Sequence, residues 1–143
     1  MTLALEQARL AAEQGEVPVG AVIAHDGSVI ATGHNLRETS NDPTAHAEIV
    51  ALRQAAQSLS SWRLDGCVVA VTLEPCPMCA GALQAARVAK VIFGAADPKA
   101  GALGSLYNLG TDPRLNHEFE VVAGVMEAEC GALLSDFFTA RRT

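Results

Sequence analysis

Aromatic residues are scarce in this chain: four phenylalanines, one tryptophan and one tyrosine among 143 residues. Charge is sparse too, and basic charge sparser still, with 10 lysines and arginines against 16 acids for a formal −6. A protein that coats DNA or RNA draws most of its affinity from phosphate neutralisation, so this balance argues against that class. It leaves room for a local basic patch or for recognition of splayed-out bases. Long hydrophobic runs are missing. The longest charge-free stretches, residues 75–86 and 100–111, are twelve residues each and both contain glycine, so neither spans a bilayer. The opening residues have no basic segment and soon meet Glu6, which predicts no signal peptide. Cysteine is limited to Cys67, Cys76, Cys79 and Cys130, with one closely spaced pair, which points to metal or redox use rather than a disulfide scaffold.

Apolar residues make up 50% of the chain. A domain of this length buries about 68–70% of its unfolded surface and needs no staple. No repeat of 20–50 residues and no low-complexity tract interrupts it. The expectation is one globular domain over residues 1–143, soluble and cytoplasmic.

Alanine-rich residues 3–14 predict a helix ended by Gly15. Residues 17–24 and 28–33 read as strands joined by a tight His25-Asp26-Gly27 turn. Residues 35–44 form a polar loop, and residues 46–58 place Ile49, Leu52 and Ala56 at helical spacing. The unbroken apolar run 67–73 predicts a strand buried on both faces. A helix over 75–86, a strand over 88–94, a long loop over 97–116 with room for one helical turn, a short strand over 120–123 and a helix over 125–141 complete the chain. This order predicts a mixed sheet with helices on both faces, a three-layer α/β/α sandwich.

Two segments carry the chemistry: Thr44-Ala45-His46-Ala47-Glu48 and Glu74-Pro75-Cys76-Pro77-Met78-Cys79. Cys76 and Cys79 project from one side of a helix start, where the dipole favours thiolates. With His46 they make three metal ligands and leave one tetrahedral position open, the catalytic zinc pattern. Glu48 lies roughly 200° around an ideal helix from His46, so the two flank a metal only if it sits off the helix end. There Glu48 could move a proton from water to a substrate nitrogen. Cys-x-x-Cys alone also fits a thioredoxin-like redox pair, or a closed zinc site completed by Cys67 or Cys130. Cys67, however, begins a strand and sits about 20 Å away at about 3.3 Å per residue, and Cys130 reads as a small hydrophobe in the last helix. The joint pattern favours catalytic zinc. His25, His34 and His117 have no evident ligand partners and read as surface or loop residues.

His-x-Glu followed by Pro-Cys-x-x-Cys resembles the zinc nucleobase deaminase signature. The likeness extends through Gly15-Glu16-Val17-Pro18-Val19-Gly20-Ala21-Val22, Asp42-Pro43-Thr44-Ala45-His46-Ala47-Glu48-Ile49 and Thr72-Leu73-Glu74-Pro75-Cys76. Met78-Cys79-Ala80-Gly81-Ala82, Phe93-Gly94-Ala95, residues 101–106 and Leu134-Ser135-Asp136-Phe137-Phe138 continue it. Over essentially its whole length the chain resembles the bacterial tRNA-specific adenosine deaminase family.

That resemblance implies a cytidine-deaminase-like α/β/α fold around a five-stranded mixed sheet. It implies a homodimeric enzyme converting the wobble adenosine of an arginine tRNA to inosine through zinc-bound hydroxide, with one Zn2+ per subunit. His46, Cys76 and Cys79 would hold the zinc, and Glu48 would shuttle protons to N1 and the leaving amine. Asn35 would hydrogen-bond the nucleoside, Val17 would pack on the base and a backbone group of Ala47 would meet it. Asp97 and Lys99 would approach the tRNA anticodon stem-loop, and Phe137, Phe138, Arg141 and Arg142 would touch flanking nucleotides. An asparagine supplies donor and acceptor together, which suits base recognition. Phe137 and Phe138 cannot both face the core from one helix turn. Arg141-Arg142 is also what dipole complementation at a helix C-terminus provides.

Ala96 stands before Asp97 where some members of the family carry a basic residue, which weakens the expected phosphate contacts. Pro77 also resembles the guanine deaminases, so a small-molecule guanine or cytosine deaminase is the alternative. No membrane and no DNA partner is expected.

Overall fold

The computed structural model describes residues 1–141. Helix α1 (Thr2–Glu13) leads into strands β1 (Gly20–His25) and β2 (Ser28–His34), followed by α2 (Ala47–Leu59) and β3 (Val68–Leu73). Then come α3 (Pro77–Ala85), β4 (Lys90–Ala95), β5 (Glu120–Val122) and α4 (Glu127–Arg141). The strands form a five-stranded mixed sheet in the order β2-β1-β3-β4-β5. β1 runs antiparallel to β2 and β3, while β4 is parallel to both β3 and β5.

The scarcity of aromatics shows in how the layers close. α1 buries Ala4, Leu5, Ala8 and Ala11, and α2 buries Ala47, Ala51 and Ala55, so each helix presents a stripe of small side chains spaced by single turns. The sheet answers with glycine. A Cβ on Gly20 would fall on the backbone of α1 at Ala4 and Ala8, and one on Gly33 would fall on α2 at Ala47 and Ala51. α1 and α4 therefore pack on one face of the sheet, and α2 and α3 on the other. The main core lies beneath α2 and α3 and includes Ile23, Val69, Val71, Leu83 and Val91. Each such side chain contributes about 1.5–3 kcal/mol by leaving water. A smaller cluster of Leu5, Ala95 and Cys130 lies on the α1/α4 side. Cys130 is thus a core hydrophobe, as its position in the last helix implies.

Asp26 and Gly27 both have positive φ, 51° and 79°, the geometry that a two-residue hairpin turn needs. Several boundaries differ from the sequence reading. β1 starts at Gly20 rather than at residue 17, because Pro18 has no N–H and Val19 bonds back to Val17. β3 is fully buried at Val69, Val71 and Thr72 but only half-buried at Val68, Ala70 and Leu73. α4 begins at Glu127 because Gly124 and Met126 are left-handed. The 97–116 loop holds one uncontinued helical turn, closed by Gly101 N donating to Asp97 O at 2.8 Å, together with other turns and one isolated bridge, Leu103 to Asn108. His34 is not a loop residue but closes β2, its ring 3.2 Å from both Gln7 of α1 and Gln14, the residue that caps its C-terminus. Among the described residues no helix is long and apolar enough to cross a membrane.

Gly33→Ala should lower the unfolding free energy by about 1–3 kcal/mol, the usual cost of overpacking. Urea unfolding would show this as a lower midpoint at an unchanged slope; an unmoved midpoint would mean that α2 stands off the sheet.

Candidate metal centre and active-site pocket

Strand pairing decides where the site can be. Gly20 opposes His34 and Leu73 is paired with Ala95, so β1 begins at the sheet edge where β2, β3 and β4 end. Chain leaving the carboxyl ends of strands is the usual place for a site in an open α/β sheet. Here it carries the loop after β2, the turn into α3 and the loop after β4.

Two helices start at this edge, and neither starts with a helical residue. His46 is the N-cap of α2, extended at φ −70° and ψ 157°. Cys76 is the N-cap of α3, extended at φ −74° and ψ 173° and followed by Pro77 at the helix start, as expected of a residue before proline. Because His46 stands off the helix, its ring and the Glu48 side chain meet without sharing a helical face. The sulfurs of Cys76 and Cys79 lie 3.6 and 3.5 Å from Nδ1 of His46, and the three candidate ligand atoms lie within 4.8 Å of one another. A tetrahedral zinc with bonds of about 2.3 Å to sulfur and 2.0–2.1 Å to nitrogen would separate S from N by about 3.5 Å. The set fits that ion. Cys67 and Cys130 belong to the two hydrophobic clusters, so neither joins it as a fourth ligand.

The electrostatics follow from the two helix starts and the burial. A hydrogen bond from Cys79 draws the Cys76 thiol down to about 4, with His46 adding to the effect. Cys79, sharing that proton and buried, is pushed far up. The bond to Cys76 raises His46. Burial lifts the Glu48 carboxyl to about 7; its own backbone N–H and His46 pull against that, while the negative Cys76 adds to it.

These groups face a cavity of about 170 Å³, below the roughly 300–1,000 Å³ of pockets that engulf drug-sized ligands. It suits a group the size of one base. His46, Ala47, Glu48 and Cys76 line one side, and Val17, Val19, Asn35 and Arg37 another. Leu73, Glu74, Asp97 and Ala100 complete it.

A model of the MafB19-like deaminase family matches residues 1–142. The tRNA-specific adenosine deaminase of Bacillus subtilis (strain 168) is 53% identical over 142 residues, which is 99% of this chain and 88% of that protein. The chain belongs to the tRNA-specific adenosine deaminase family. A structure from work on A-to-I editing by tRNA:A34 deaminases superposes on this deaminase with a TM-score of 0.91 at 46% identity, covering 94% of this chain and 97% of the other. The guanine deaminase of Nitrosomonas europaea is more distant, with a TM-score of 0.78 at 27% identity over 96% and 82% of the two chains.

Of the residues expected at the substrate, Val17, Asn35, Ala47 and Asp97 line the cavity with the ligand set and Glu48. Asn35 is buried, its amide donating to Val17 O at 3.3 Å and accepting from Arg37 N at 3.1 Å. Lys99 is exposed and outside the lining; its N–H donates to Asp97 Oδ1 at 3.0 Å. Phe137 and Phe138 also lie outside it, edge to face at 5.4 Å, with Phe138 the more exposed. Arg141 stacks over Phe137 and donates to the carbonyl of Gly15. Arg142 lies outside the described residues.

Sequence reasoning missed Arg37, Glu74 and Glu16. Glu16 is fully buried and accepts from the N–H groups of Glu38 (3.1 Å) and Thr39 (2.6 Å), tying the loop after β2 to the chain before β1. Burial pushes its carboxyl up, but these bonds and the Thr39 hydroxyl outweigh that and hold it below 4.5. A carboxyl depressed on folding stabilises fully above its unfolded value and loses that contribution as pH falls through the folded one. Glu16→Gln should therefore be less stable than the parent at neutral pH, and urea midpoints should converge as pH drops below 4.5. A gap that stays constant into acid would contradict this role.

Proposed function

We propose that this deaminase hydrolyses the wobble adenosine of a tRNA, with an arginine anticodon expected, to inosine. The carrying observation is the buried Glu48 carboxyl beside a His–Cys–Cys set that fits zinc at a base-sized cavity. His46, Cys76 and Cys79 would hold one zinc per subunit, whose Lewis acidity turns water into the nucleophile at neutral pH.

The rest of the work belongs to the chain. Glu48 takes one proton of the attacking water and places it on N1 of the purine, then takes the proton of the new C6 hydroxyl and delivers it to the amine, which leaves as ammonia while C6 becomes a carbonyl, a general acid–base role. Asn35 holds the nucleoside, Val17 packs on the base and a backbone group of Ala47 meets it. Asp97 and Lys99 approach the anticodon loop from the side of the 97–116 segment. Phe137, Phe138, Arg141 and Arg142 contact flanking nucleotides, with Phe138 offering a ring for stacking. An anticodon base needs little unstacking to enter such a pocket, so an acidic protein can select it with few phosphate contacts. The enzyme works as a homodimer in the cytoplasm, without DNA. Deamination of free guanine or cytosine is the weaker reading, since the likeness to guanine deaminases stands at 27–35% identity against 46–53% for the two tRNA enzymes above.

Zinc-loaded protein should form inosine in an arginine tRNA bearing a wobble adenosine and leave free adenosine, adenine, guanine and cytidine untouched. Glu48→Gln should lower the rate constant by about 10²–10⁴-fold, the scale of a lost general acid–base group. Turnover of free guanine beside unchanged tRNA would reverse the assignment.

A further inference from the structure

Glu74 lines the cavity, yet the chemistry above has no use for it. Its side chain is buried two residues before Cys76. Oε1 accepts from Asp97 N (3.0 Å) and the Ser105 hydroxyl (2.5 Å), and Oε2 accepts from the N–H groups of Leu103 and Ser105 (3.0 Å each). A carboxylate offers about four lone-pair positions. All are occupied, so Glu74 is neither a spare proton carrier nor a metal ligand.

What those bonds hold is the far wall of the pocket. The 97–105 segment has no helix or strand to satisfy its backbone, and buried N–H groups need partners. The carboxylate gathers them. Gly101 lies so close that an added Cβ would overlap the Glu74 carboxylate, and Ala102 N bonds Pro75 O at 2.8 Å. Asp97 and Ala100, which face the cavity, ride on this segment. Glu74 and Pro75 therefore stitch the wall to the dipeptide that leads into the Cys76 turn.

We propose that Glu74 is a positioning residue that seats the 97–105 loop against the Cys76 turn and so sets the width of the substrate pocket. The proposal rests on the deaminase reading of that pocket. It separates Glu74 from the reacting atoms, which Glu48 and the ligand set handle from other elements.

The test is steady-state kinetics on the anticodon stem-loop with metal content measured in parallel. Glu74→Gln puts an amide N–H₂ against backbone N–H donors and should raise KM about tenfold or more (about 1.4 kcal/mol per tenfold). The rate constant should stay within about threefold, the pattern of lost binding rather than lost chemistry. Gly101→Ala disturbs the same contact from the opposite side and should raise KM likewise, with the double variant less than additive. Metal content should stay at the parent value. If Glu74→Gln fails to fold, Gly101→Ala and Ser105→Ala carry the same split. KM unchanged in these variants, or metal lost with activity, would overturn the proposal while the parent still makes inosine. A parent that makes no inosine overturns the functional reading itself, together with the pocket role that rests on it.

Discussion

Two helix N-termini aimed at one point are the constraint on which the rest of this structure depends. Each helix start carries about half a positive charge and several unpaired N–H groups. The starts of α2 and α3 are brought together because both helices pack on the same face of the sheet. That convergence favours a thiolate at Cys76 and fixes the distance from His46 to both sulfurs. It also places Glu48 in the first turn of α2, buried against the same cluster. Small side chains make the geometry possible. With alanines at 47, 51 and 55 and a glycine at 33, α2 lies close on the sheet, and aromatic bulk there would lift its N-terminus away from the cysteines.

The acidic balance of the chain looks different once burial is known. Some of its carboxylates do not face solvent or RNA at all. Glu16 and Glu74 are buried and surrounded by backbone N–H donors, each organising a loop that lacks regular structure. Hydrogen bonds to a charged acceptor are stronger than neutral ones, which makes a buried carboxylate an effective hub where no strand or helix is available. The two loops so held carry Asn35 on one side of the cavity and Asp97 on the other. Part of the negative formal charge is thus spent inside the protein.

Much of this was legible in the sequence, for physical reasons that can be named. The apolar run ending at Leu73, the alanine stripes and the Asp26-Gly27 turn each impose one local structure, and in order they dictate the α/β/α layering. The ligand set was legible because His-x-Glu and Pro-Cys-x-x-Cys are residue types with few other joint uses. The placement of His46 was not, since nothing in its spacing from Glu48 says that it caps the helix instead of joining it. Pro18 hid the true start of β1 inside an otherwise strand-like run. Glu16 and Glu74 looked like ordinary polar boundary residues, because the donors that bury them come from segments 22 to 31 residues away. Phe137 and Phe138 showed that one helix turn cannot bury two adjacent rings, but their edge-to-face pairing and the Arg141 stack depend on tertiary placement.

The starts of α2 and α3 bring His46, Cys76 and Cys79 together as a three-ligand set for a metal beside Glu48. Anomalous diffraction at the zinc edge from crystals of the purified protein tests it most directly. One peak per chain is expected, about 2.3 Å from the sulfurs of Cys76 and Cys79 and about 2.0–2.1 Å from Nδ1 of His46. A peak elsewhere, or a Cys76–Cys79 disulfide with no metal, would contradict it.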